Sequence, residues 1–116
     1  MLEDALNLTL LFDYYGDLLS QKQQTCFDLY YNQDFSLGEI AEQVGISRQG
    51  VHDCLVRAEA ALRNMEAKTG FIAQEQRMRA ALSDIRDAAN RLRSYPSDEV
   101  QQLAAIILSA ADSLKE

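Results

Sequence analysis

The segment Ser36 to Cys54, SLGEIAEQVGISRQGVHDC, constrains the fold more than any other part of this chain. Ile40, Ala41, Val44, Ile46, Val51 and Cys54 occupy the positions that two short helices crossing at a steep angle bury against each other. Gly45 falls between those helices, where the backbone needs a positive φ that glycine adopts at almost no cost. Ser47 is placed to cap the second helix, and Ser36 with Glu39 three residues later forms a Ser-x-x-Glu capping box for the first. Apolar spacing, turn glycine and caps agree on a helix-turn-helix.

The flanking sequence is helical as well, with no strand-period segment and no internal repeat. Leu8, Leu11, Phe12, Tyr15, Leu18 and Leu19 follow one buried helical face, which Gly16 is expected to end or bend. Ser20 and Gln23 give a second capping box, followed by an apolar face of Phe27, Tyr30 and Tyr31. Asn32 to Phe35 connects to the helix-turn-helix, whose second helix runs from Arg48 to about Thr69 and stops at Gly70. From Phe71 a heptad-like seam appears, with Phe71, Met78, Ile85 and Leu92 seven apart and Leu82 and Ala89 between them. Ser94 to Ser97, with the chain's one proline, end that helix and start a last one carrying Val100, Leu103, Ile107, Ala110 and Leu114. The expected organisation is all-α, with a helix-turn-helix domain over 1–70 and a helical hairpin over 71–116. Two readings of the hairpin stay open: it completes the monomer's own core, or it docks a second subunit, making a homodimer, or another protein.

Charge sets the awkward boundary condition. The chain carries a formal net charge of −7, whereas a DNA-binding domain is ordinarily basic. The acid is concentrated at the start: residues 1–36 hold six acids and one lysine, 37–70 five acids and four bases, and 71–116 seven acids and six bases. Any nucleic-acid contact must therefore use a local patch against an opposing field, and weak affinity is the expectation. Cys26 and Cys54 stand far apart in sequence with no Cys-x-x-Cys or Cys/His cluster, so they read as small core residues in a reducing cytosol. The start, MLEDALN, has no basic region of a signal peptide, and no apolar run approaches the ~20 residues of a membrane span. A cytoplasmic protein with no membrane insertion is expected.

Candidate contact residues lie at the start of the second motif helix: Ser47, Arg48, Gln49 and His52, with Arg57 one turn on. Arg48 and Gln49 suit base edges or phosphates through a guanidinium fork and an amide, and equally suit an ordinary solvated face. Asp53 has the wrong sign beside phosphates and is expected to pair with Arg57 or accept from a cytosine amine. Gly50, costly in a helix interior, suggests a close backbone approach. Arg79, Arg86 and Arg93, seven apart, form a secondary basic ridge suited to a phosphate backbone, although Glu75 and Asp87 stand four residues before Arg79 and Arg91 and invite local pairs. With one histidine, no glycine-rich phosphate loop and no acid cluster at metal spacing, the chain offers no catalytic residues, metal site or cofactor site.

The stretch Gln23 to Leu62 resembles region 4 of sigma-70-type factors and, more closely, the YlxM family of small bacterial proteins. The resemblance rests on Leu29 to Tyr31, Asp34 to Glu42 and Ile46 to Asp53. Gly50 stands where that pattern usually has alanine. The resemblance implies a sigma-70 region 4-like helix-turn-helix followed by a helical hairpin. It also implies a non-enzymatic accessory or regulatory role in the signal recognition particle pathway, with the particle's RNA, its GTPase subunit or both as partners. A DNA-binding transcription regulator and a pure protein-interaction module are the alternatives.

Overall fold

The computed structural model describes residues 2–114, with side chains from residue 5 onward. The side chains of Glu3 and Asp4, counted above in the acidic start, lie outside the described residues. Six α-helices follow in order: α1 (Leu2–Tyr15), α2 (Gln21–Phe27), α3 (Leu37–Val44), α4 (Arg48–Thr69), α5 (Phe71–Leu92) and α6 (Asp98–Asp112). There is no strand among the described residues. A 3₁₀ turn, Gly16–Leu18, separates α1 from α2, and a π-helical turn, Asp28–Asn32, extends α2. The chain divides into two compact units, Met1–Ile72 and Ala73–Glu116.

In the first unit α4 is the element against which α1, α2 and α3 all pack. Its buried row is Val51, Leu55, Ala58 and Leu62, the i, i+4, i+7, i+11 spacing of one helical face. Phe27 and Ile40 are fully buried beside it. Phe27 stacks on Phe12 with ring centroids 4.5 Å apart and meets Tyr31 at the same distance. Gly16 closes this layer: a Cβ there would stand 3.0 Å from the Phe12 ring, so the glycine that ends α1 also makes room for an aromatic. Cys26 is fully buried and Cys54 partly so, and desolvation together with the neighbouring Cys54 thiol pushes the Cys26 thiol up to about 11.

Two members of the expected N-terminal apolar faces point elsewhere. Leu18 is 70% exposed, because α1 ends at Tyr15 and the tighter 3₁₀ turn breaks the helical phase before Leu18 is reached. Tyr30 is exposed while Leu29 is buried in its stead, since the π turn widens the ladder and its closing bond runs from the Gln33 N–H to the Asp28 carbonyl at 3.1 Å. The adjacent tyrosine pairs divide between core and surface. Tyr15 and Tyr31 turn inward, and Tyr14 and Tyr30 outward.

Tyr15 ties the end of α1 to the end of α4. Its hydroxyl donates to Glu66 Oε1 at 2.6 Å and lies 2.6 Å from Thr69 Oγ1. Glu66 Oε1 also accepts the Ile72 N–H at 3.1 Å, so one carboxylate satisfies a core phenol and an orphan donor of the first turn of α5. Burial, then Glu66, raises the Tyr15 phenol above its ordinary value. Gly70, in the left-handed region at φ 62°, ends α4.

In the second unit α5 and α6 fold back on each other as an antiparallel hairpin across the short link at residues 93–97, where Ser97 caps α6 through the Val100 N–H. Arg86 fastens the far end: its Nη2 donates to the Ala111 carbonyl at 3.3 Å, and its Nε lies 3.3 Å from Asp112 Oδ1 without the angle for a hydrogen bond. A cation thus sits at the negative end of α6, where the helix dipole favours it. On α5 the expected seam holds at half-buried Leu82 and Leu92 and buried Ala89, whereas the rest of it and most of the expected row of α6 are displaced. Ala89, Ala104 and Ala111 are buried, while Met78, Ile85, Leu103, Ile107 and Leu114 are exposed.

Candidate functional site

The helix-turn-helix is built by its caps and its turn. Ser36 Oγ accepts the Glu39 N–H at 3.1 Å and Glu39 Oε1 accepts the Ser36 N–H at 2.9 Å, which completes the capping box. Those bonds hold the Glu39 carboxyl below its usual value. Gly45 takes φ 80° at the end of α3, and its N–H donates to the Ala41 carbonyl at 2.9 Å. Ser47 Oγ then accepts the Gly50 N–H at 2.9 Å and opens α4. Ile40, Ala41 and Val51 are buried at the crossing, and Val44, Ile46 and Cys54 are partly buried around it.

This construction leaves Ser47, Arg48, Gln49, His52 and Arg57 exposed at the start of α4, as expected from the sequence. They are not equally free. Gln49 donates to Asp53 Oδ1 at 3.0 Å, and His52 Nδ1 lies 3.6 Å from the same oxygen. Asp53 therefore organises its own two neighbours instead of pairing with Arg57. The Arg48 guanidinium lies over Gly38 in the first turn of α3, where a Cβ would stand 3.0 Å from both Nε and Nη2. Sequence reasoning missed Gly38. Its signal was a glycine inside the first turn of a short helix, a position where alanine is better tolerated unless something needs the space. Gly50 has a local explanation too: a Cβ there would meet Ser47 Oγ at 3.2 Å and the Ile46 side chain at 3.5 Å, so no other backbone approaches it.

Two shallow depressions flank the start of α4. One is lined by Ser36, Gly38, Glu39, Glu42, Ser47 and Arg48, the other by Ser20, Lys22, Gln23, Gly50, Asp53 and Arg57 among others. Arg48, Arg57 and Lys22 face Glu39, Glu42 and Asp53 across this surface, three bases against three acids. The face is polar and close to neutral, set in a chain of −7.

The arginines of α5 are not an equivalent row. Arg79 donates to Glu75 Oε1 at 2.9 Å, and Arg86 is the partly buried clasp on Ala111 and Asp112. Arg93 is exposed beyond the end of α5. Committing Arg86 to the hairpin removes the middle member from a continuous phosphate-tracking ridge. Among the described residues no group of three His, Cys, Asp or Glu side chains is arranged to hold a metal ion, and no helix is long and apolar enough to cross a membrane.

Comparison with known proteins decides the family. Residues 2–103 match the model of the UPF0122 family, described as "Putative helix-turn-helix protein, YlxM / p13 like". The chain belongs to the UPF0122 family. A UPF0122 protein of Thermoanaerobacter sp. (strain X514) is 40% identical over 114 residues, covering 98% of this chain and 96% of that protein. A UPF0122 protein of Halalkalibacterium halodurans is 37% identical over 115 residues, covering 99% of this chain and 100% of the relative. One from Geobacillus kaustophilus is 40% identical over 107 residues, covering 92% of this chain and 94% of the relative. The match of the UPF0122 model spans the whole helix-turn-helix and reaches Leu103 in α6, and the family is characterised by that motif and not by an enzymatic activity.

Proposed function

We propose that this protein is a cytoplasmic, non-enzymatic accessory protein of the signal recognition particle pathway that binds the particle's RNA through the start of α4. Membership of a helix-turn-helix family supports nucleic-acid binding, and the YlxM resemblance supplies the pathway. The observation that carries the reading is the cluster of Ser47, Arg48, Gln49, His52 and Arg57, exposed together on the helix that such a motif presents to nucleic acid. The charge balance of that face fixes the strength. Two or three phosphate contacts release few counterions, so the slope of log affinity against log salt is expected at about −2, much shallower than that of a strongly basic binder.

The test is fluorescence anisotropy with the particle RNA, an unrelated structured RNA and duplex DNA, beside a pull-down of particle components with and without RNase. Preference for the particle RNA, and loss of the GTPase subunit on RNase treatment, is the expected result. Retention of the GTPase after RNase would make the protein subunit the primary partner, preference for DNA would favour a transcription regulator, and recovery of no component would remove the pathway from the account.

Arg48→Ala with Gln49→Ala is expected to weaken RNA binding about tenfold, the loss of one or two polar contacts, while the melting temperature barely moves because exposed substitutions stay within about 0.5 kcal/mol. Anisotropy and thermal melting of the same samples check both halves. Gly38→Ala separates positioning from contact. The added Cβ displaces only the flexible end of Arg48, so stability should hold or rise by about 0.4–1 kcal/mol. Affinity should fall two- to fivefold as the guanidinium loses its seat and must be ordered on binding. Equal affinity of the variant and the wild type would show that the seat contributes nothing.

A further inference from the structure

The second unit has a core of alanines. Ala89, Ala104 and Ala111 are its buried residues, at 1%, 0% and 4% exposure, among those described. Its large apolar side chains lie outside that core: Met78 is 46% exposed, Ile85 44%, Leu103 53%, Ile107 36% and Leu114 58%. A unit of this size rarely holds together on a single small core, and this one leaves its best apolar material in water.

These five side chains share one face, while Ile106, 65% exposed, lies to one side of it. On α5 the row Met78, Ala81, Ile85 and Ala88 lies about a quarter-turn from the inward row of half-buried Leu82 and Arg86 and buried Ala89, at ~100° per residue. On α6 the row Leu103, Ile107 and Ala110 lies a quarter-turn from Ala104 and Ala111, in the same rotational sense, and Leu114 follows just past the end of the helix. Because the helices run antiparallel, equal rotations in one sense bring both rows to the same side of the hairpin. Large and small residues alternate along the α5 row, the arrangement that lets one helical layer seat into another.

We propose that this face is covered by a second copy of the chain, two hairpins forming a twofold four-helix bundle. Charge and area both favour self-association over a foreign partner. The two rows contain no charged residue, which is what a chain of −7 needs if two copies are to meet without repulsion. Arg77, Asp84 and Arg91 flank the α5 side as one row with a net positive charge and Glu99 flanks the α6 side, so a twofold axis that sets α5 beside the α6 of the second copy brings a net positive rim against a negative one. The five large side chains leave roughly 450 Å² of apolar surface, within the size at which a patch marks an interaction site. Doubled by symmetry and joined by the alanines and the rim, the contact passes the ~1,000 Å² of a specific interface. This inference stands apart from the nucleic-acid reading, because it concerns a different face and its test uses protein alone.

Sedimentation equilibrium of the full chain at about 10 μM should give twice the chain mass, and Ile85→Glu with Ile107→Glu should give the single mass with its helical circular dichroism retained. Thermal melting of the wild type covers the case in which that variant fails to fold. The midpoint of a dimer rises with protein concentration between ~1 and ~100 μM, and that of a monomer does not. A single-chain mass with a concentration-independent midpoint would overturn the proposal, as would a variant that folds and remains a dimer.

Discussion

Replacing Phe27 with alanine is expected to cost about 4 kcal/mol and so to remove a large part of the stability of the unit that holds the helix-turn-helix. Large aromatic truncations in cores cost ~3–5 kcal/mol, and stacking on both sides adds to the burial term. Phe27 is fully buried between Phe12 and Tyr31, at the level where α2 meets α4. A domain of this size has only about 5–15 kcal/mol in total, so a loss of this scale is a large part of it. Urea unfolding followed by far-ultraviolet circular dichroism measures it. A cost below about 1.5 kcal/mol would mean that Phe12 and Tyr31 collapse into the space and that the stack is not the keystone of this unit.

Glu66→Ala should cost about 2–3 kcal/mol, the second-largest effect. The change strips an acceptor from the Tyr15 hydroxyl and from the Ile72 N–H together, and an unsatisfied buried donor costs ~1–3 kcal/mol. Tyr15 keeps Thr69 Oγ1, which limits the loss. Glu66→Gln keeps an amide oxygen where the carboxylate oxygen was, so it should lose less than half as much. Equal losses in the two variants, read from urea midpoints, would assign the effect to charge instead of to the hydrogen bonds.

The helix-turn-helix was legible in the sequence because its signals are local. Gly45 takes the left-handed turn, Ser36 and Ser47 cap, and Ile40 and Val51 are buried, each as its neighbours require. The hairpin was legible as two pairing helices, but not in which faces they turn inward. In α6 apolar residues ring the helix, from Val100 and Leu103 through Ala104 to Ile107 and Ala111. Periodicity weights the large side chains, whereas the fully buried positions of α6 went to the small Ala104 and Ala111. The candidate site divided similarly. The residue types at the start of α4 follow from helical phase, but the lean of Arg48 onto Gly38 depends on a flexible stem meeting a neighbouring helix, which no spacing rule encodes. Arg86 was assigned to a ridge because seven-residue spacing gives its direction, not what stands in its way.

The π turn at Asp28–Asn32 makes the first unit keep count of its residues. One residue more than an α-helical turn is accommodated between Phe27 and the approach to α3, and the Phe35 N–H closes the far side on the Leu29 carbonyl at 2.9 Å. Substitutions there alter contacts. Deleting a single residue would instead restore the regular ladder and turn everything on one side of it by ~100° against everything on the other. Cys26 and Phe27 would no longer face the core together with Leu29 and Tyr31. Chain length in this stretch therefore binds the fold more strictly than the identity of the side chains it carries.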